Sequence, residues 1–140
     1  IISLMELLAY VLFQIIGAIF GCLAANIIFG LPVITISTHV RHDLSQFLSE
    51  ILATFGLVLV IFLAREVARQ NIPILVGSYI ASAYWFSSST SFANPAVTIA
   101  RQFSDTFTGI SPSGIPSFVL AQIFGAILGY IVVQWLSRDM

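Results

Sequence analysis

Asn94, Pro95 and Ala96 stand together at the head of a short apolar stretch, and their chemistry is that of a helix start. Asparagine is a favoured N-cap, and proline suits the first helical position because the N–H it lacks has no partner there. The Asn94 amide has two uses. Its carbonyl can accept from the freed N–H groups of its own helix, which leaves the NH2 as a donor to a passing hydroxyl. The helix end carries about half a positive charge, a barrier to cations wherever it lies in a membrane pore. Residues 87–114 are too polar to span a bilayer, so a re-entrant half-helix is expected, a recurring device for handling polar solutes. Plain capping of that helix is the alternative role for Asn94.

Glu50 is the ionisable residue nearest the middle of an apolar segment, where such residues are functional or bracing. Arg101 lies one helical turn beyond Val97 and shares its face. Two roles are open to it: the outer vestibule of a pore, or snorkelling to the interface and pairing with Asp105. His39 and His42 flank Arg41 in a polar stretch, which suits solvated side chains better than a pH gate or a metal site. Cys22 is the single cysteine, has no internal disulfide partner and reads as a packed small residue. No nucleophile–base pair, metal cluster or phosphate loop is visible. The chain is therefore expected to have no catalytic residues, cofactor or metal and to be no enzyme.

Composition says what surrounds these residues. Hydrophobic residues are 59% of the 140 and charged ones 8%, against about 45–50% and 25% in soluble domains. That places the chain in a lipid bilayer. With a net charge of −1 and no lysine, nucleic-acid binding has no electrostatic basis. Four apolar runs stand out, at residues 4–29, 47–64, 72–86 and 115–136. A span needs about 20 residues; the second run reaches this only with Ser49 and Glu50, and the third only if Ser87, Ser88 and Ser89 extend it. The connector 30–45 is polar enough for a loop in water, and 65–71 is a short charged turn. Four crossings put Arg65, Arg69 and Arg138 on one side, against Arg41 and Arg101 on the other, and the positive-inside rule makes the three-arginine side cytoplasmic. The chain opens Ile-Ile-Ser, without Met or a signal peptide, and is expected to be a fragment with its upstream part missing.

An internal repeat links the first and last runs. Residues 14–21 and 122–129 agree at six of eight positions, each with a Gln followed by Gly-x-x-x-Gly. That glycine spacing lets helix backbones approach closely in lipid. Gln14 and Gln122 are expected to hydrogen-bond between helices, in equivalent places of a duplicated, oppositely oriented fold.

With Asn94-Pro95-Ala96, the paired Gln-x-x-Gly-Ala helices and residues 49–57 around Glu50, the sequence resembles the aquaporin and aquaglyceroporin (major intrinsic protein) family over essentially its whole length. Residues 92–110 most resemble the branch found in bacterial arsenic-resistance operons. The resemblance implies an all-α membrane protein: an aquaporin-like bundle of four transmembrane helices plus one re-entrant half-helix. Residues 1–140 would be a single transmembrane domain corresponding to helices three to six, with the first two helices missing. It implies a passive channel for water and small neutral solutes in the cell membrane, a bacterial inner membrane, as a homotetramer.

The same resemblance assigns residues. Asn94, Pro95 and Ala96 would be the second Asn-Pro-Ala motif, Ser91 a loop residue facing the pore, and Glu50 a hydrogen-bonding support of the re-entrant loop. The family places an arginine directly after the alanine; here that place holds Val97. A valine removes a charge and several donors, so the opening is expected to be wider and to admit polyols, metalloid hydroxides or methylated arsenicals. The constriction position on the fifth family helix falls on Tyr84 when aligned from Gly77 and on Ser82 when aligned from Asn94; a gap fits best in the serine-rich loop, which favours Tyr84. A secondary transporter with a broken helix, or a non-conducting truncated remnant, are the rival readings.

Overall fold

The computed structural model describes residues 2–137. Among them are five α-helices and no strand: α1 (Leu4–Ile28), α2 (Leu44–Val67), α3 (Ile72–Phe86), α4 (Pro95–Ala100) and α5 (Ile115–Leu136). They divide into two compact units. One holds the chain up to Arg41 with Pro95–Ile115, the other His42–Asn94 with the chain from Pro116 onward.

In the first unit, α1 is closed at both ends by its own sequence. Ser3 Oγ accepts from the Glu6 N–H while the Glu6 carboxylate accepts from the Ser3 N–H, a reciprocal capping box. At the far end Gly30 takes φ +70°, open to glycine without cost. Gly30 and Leu31 then donate back to the carbonyls of Ile27 and Asn26, which satisfies the last turn. Between these caps almost every side chain of α1 faces outward, and Asn26 is its only buried residue. A helix that is apolar all round is a membrane span, and α1 is long and apolar enough to be one. The six-residue α4 packs against α1.

In the second unit, α5 and α2 are also of membrane-crossing length and hydropathy. The buried face of α5 runs Phe118, Ala121, Gln122, Gly125, Gly129 and Val133, one helical stripe. Gly125 and Gly129 let α2 come close. A Cβ on Gly125 would be driven into the Ile51 carbonyl oxygen, and one on Gly129 would meet that of Phe55 at 2.9 Å. The corresponding Gly17 and Gly21 of α1 have nothing within 4 Å, so among the described residues one copy of the glycine motif is used. Gln14 beside it is exposed, whereas Gln122 is 2% exposed and bonded across to α2. Of the two glutamines expected to bond between helices, the structure engages Gln122.

α3 packs on α2, where the Tyr79 hydroxyl donates to the Ala53 carbonyl (2.9 Å) over Gly56. Pro73 sits in its first turn. The serines do not lengthen it: Ser87 is already extended (φ −100°, ψ 135°), and its N–H closes the helix on Ala83. A 3-10 turn, Arg69–Asn71, leads into α3 at its other end. The 15 residues of α3 reach about 22 Å, short of the hydrocarbon thickness. Arg65 and Arg69 lie in this region; Arg138 lies outside the described residues.

Candidate functional site

Glu50 is completely buried on α2, and its carboxylate accepts four hydrogen bonds. Oε1 takes Ser89 Oγ (2.7 Å) and the Phe92 N–H (2.8 Å), while Oε2 takes the Ala93 N–H (2.9 Å) and Gln122 Nε2 (2.8 Å). A carboxylate offers about four acceptor positions, so it is saturated. Ser89 Oγ in turn accepts from the Ser91 N–H (3.1 Å), and Phe92 lies against Phe118, centroids 5.4 Å apart.

That bracing has a structural reason. Thr90, Ser91 and Ala93 carry φ of 64°, 48° and 47°, left-handed values for residues with a Cβ. Each costs about 1–2 kcal/mol. Hydrogen bonds to a charged group, at roughly 1.5–3 kcal/mol each, offset this. α4 begins at Pro95, directly after Asn94. Ser91 is 7% exposed, and its Oγ has no hydrogen-bond partner among the described residues.

The first unit carries the other half of the expected residues. Pro95 is exposed, Ala96 buried and Val97 half-buried, as Asn94 is on the residue before. Val97 and Arg101, one turn apart, line a single cavity of about 220 Å³ together with Ala18, Gly21, Cys22, Ala25, Asn26, Ala100 and Ser104. Cys22 is thus a cavity-lining thiol, only partly buried, rather than a packed core residue. Arg101 does not pair with Asp105. Its Nη1 donates to Thr108 Oγ1, and the Asp105 carboxylate accepts instead from the Thr38 N–H (2.9 Å), the Thr38 hydroxyl and Ser37 Oγ. The Thr38 N–H, foremost among these donors, holds the Asp105 carboxyl below its ordinary value of 3.8. Tyr84 and Ser82 are both exposed on α3; the Tyr84 ring meets Trp85 edge-on at 6.2 Å and Ser82 Oγ donates to the Ser78 carbonyl.

Two residues matter that sequence reasoning left aside. Arg41, assigned to a loop in water, is 3% exposed: Nε donates to the Gly109 carbonyl (2.7 Å) and Nη2 to that of Phe107 (2.6 Å). Loop carbonyls need donors once buried, and a guanidinium supplies several at once. The segment 30–41 is knitted to 101–114 by further backbone bonds, Ser37 to Gln102 and Ser111 to His39 among them. His39 and His42 themselves are exposed. Asn26 is the second. Its Nδ2 donates to Val33 and Phe103 carbonyls (3.1 and 3.0 Å), and its Oδ1 accepts from Ser104 Oγ (2.7 Å). A lone amide in the last turn of an otherwise apolar helix was the available signal.

Among curated proteins, Aquaglyceroporin AqpS of Rhizobium meliloti (strain 1021) is 48% identical over 130 residues. The match takes in 93% of this chain but 56% of that protein, so the chain spans little more than half its length. No family model matches the chain, and no solved structure matches it. The helical architecture with three membrane-length spans and this identity agree with one another: the chain belongs to the aquaporin, or major intrinsic protein, family, is aquaglyceroporin-like, and covers its C-terminal part.

Proposed function

We infer that the chain forms part of a passive membrane channel for water and small neutral solutes such as polyols, metalloid hydroxides or methylated arsenicals. The observation that carries this reading is the cavity on which Val97 and Arg101 sit together, aliphatic over most of its wall. With valine in the place of the family's arginine, the passage is wide and weakly polar, and solutes larger than water fit it. Asn94 supplies an amide donor at the head of α4, Pro95 and Ala96 set its start, Ser91 and Tyr84 contribute to the lining, and Glu50 holds the approach in place. No catalytic residue, cofactor or metal is needed. The whole protein is a homotetramer in the cell membrane, of a bacterial inner membrane, with residues 1–140 as one domain equivalent to helices three to six.

The test is stopped-flow uptake of water, glycerol and arsenite by proteoliposomes containing the full-length protein. Flux linear in the solute gradient supports a channel; saturable, ion-coupled uptake means a transporter, and no flux a structural protein. Val97→Arg should lower glycerol and arsenite flux about tenfold while water falls less, the discrimination expected of a tightened pocket. Equal losses for all three would refute the constriction assignment.

A further inference from the structure

We propose that Arg101 is a charge-selecting residue of this channel, standing one helical turn from Val97 and held at the cavity by a one-way relay of hydroxyls. The proposal rests on the channel reading above.

The relay is built from five side chains joined by four hydrogen bonds. Arg101 Nη1 donates to Thr108 Oγ1; Thr108 and Thr106 hydroxyls lie 3.4 Å apart, Thr106 and Ser104 3.3 Å, and Ser104 donates to Asn26 Oδ1 at 2.7 Å. Geometry alone leaves the middle protons undirected, yet the ends direct them. Asn26 Oδ1 has no proton to give, so the single hydroxyl proton of Ser104 is spent on it. Thr106 must then donate to Ser104, and Thr108 to Thr106. That turns the Thr108 lone pairs toward Arg101, which has only donors. All four bonds point the same way, an arrangement in which each polarises the next.

The anchor is firm because Asn26 is 3% and Ser104 5% exposed, and because both Asn26 amide protons are taken by backbone carbonyls. One guanidinium nitrogen is used by Thr108, and Arg101 lines a cavity whose other walls are Val97, Cys22, Asn26, Ser104 and small residues, apolar over most of its surface. Such a lining suits a compact neutral solute with an acceptor oxygen on an aliphatic body. It opposes a small organic cation, because a fixed guanidinium at the wall of a weakly polar passage repels it.

The experiment compares glycerol uptake with entry of the methylammonium cation at neutral pH, in proteoliposomes of the full-length protein. Arg101→Gln should raise the methylammonium-to-glycerol ratio about tenfold, and Arg101→Lys should keep it low, as a repulsion between like charges requires. Thr108→Val, which preserves shape and leaves the arginine intact, should reproduce most of the Arg101→Gln effect; Thr108→Ser should restore exclusion. A ratio unmoved by Arg101→Gln, or moved by Arg101→Gln but not by Thr108→Val, would overturn the proposal. Failure of the unaltered protein to pass glycerol would instead overturn the channel reading and take this one with it.

Discussion

Glu50→Gln changes one atom of a side chain that accepts four hydrogen bonds, and the structure gives the size of the effect. The new NH2 must replace either Oε1, which faces Ser89 and Phe92, or Oε2, which faces Ala93 and Gln122. On the Oε1 side it confronts the Phe92 N–H, and Ser89 Oγ is already accepting from Ser91. On the Oε2 side the Gln122 amide can turn over and accept, which leaves the Ala93 N–H without an acceptor. The second placement wins. Its cost is one orphaned buried N–H, about 1–3 kcal/mol, plus the lost charge on two surviving bonds, of order 1 kcal/mol together. Strain at Ser91 and Ala93 is no longer offset. The 87–94 segment should therefore open about 2–4 kcal/mol more easily, a loss of hydrogen-exchange protection of roughly 30- to 1,000-fold at the Phe92 and Ala93 amides. Exchange of the protein in lipid nanodiscs, read by mass spectrometry, measures this directly, with the α2–α3 contact at Tyr79 as internal control. Protection at Phe92 and Ala93 within threefold of the unaltered protein would refute the bracing argument, as would an equal loss at Tyr79.

Gly125→Ala should destabilise the bundle by about 1–3 kcal/mol, because its methyl runs into the Ile51 carbonyl, while Gly21→Ala, in open space, should be neutral or slightly stabilising; thermal melts in detergent separate the two. Arg41→Met removes the donors from two loop carbonyls and should cost about 2–4 kcal/mol locally, read as faster proteolysis within residues 101–114. For Asp105 the folded carboxyl titrates below the unfolded one, so its contribution is complete above 3.8 and is lost as pH falls through the lowered folded value. Exchange at the Thr38 amide should consequently accelerate in that acid range, relative to the intrinsic rate, and Asp105→Asn should abolish the pH dependence.

How much of this was legible in the chain depends on the distance over which each feature is decided. Helix limits were local: α3 and α5 begin and end where the apolar runs do, and α1 closes at its glycine. α2 outruns its apolar stretch by three residues at each end, since a helix continues through Leu44, Ser45 and Gln46, and through Arg65 and Glu66, wherever a polar side chain can reach water. Glu50 drew attention as an acid in an apolar helix, but its partners lie 39 to 72 residues away and have no local signature. Arg41 and Asn26 escaped for the same reason: the acceptors of Arg41 and the Phe103 acceptor of Asn26 are 66 to 77 positions distant. Left-handed Ser91 and Ala93 are invisible to propensity because neither is glycine; tertiary hydrogen bonds impose their conformation. The arrangement around Val97 followed from helical spacing, whereas the Thr108 partner of Arg101 did not.

The capping of α1 has a bearing on biogenesis. A rod that finishes its own amide and carbonyl ends, at Ser3 with Glu6 and at Gly30, needs no neighbour to be a complete passenger in lipid. It can be threaded across and wait there as an autonomous post. Assembly then becomes a later, sideways step, begun at Asn26 when Phe103 and Ser104 arrive to take up its amide.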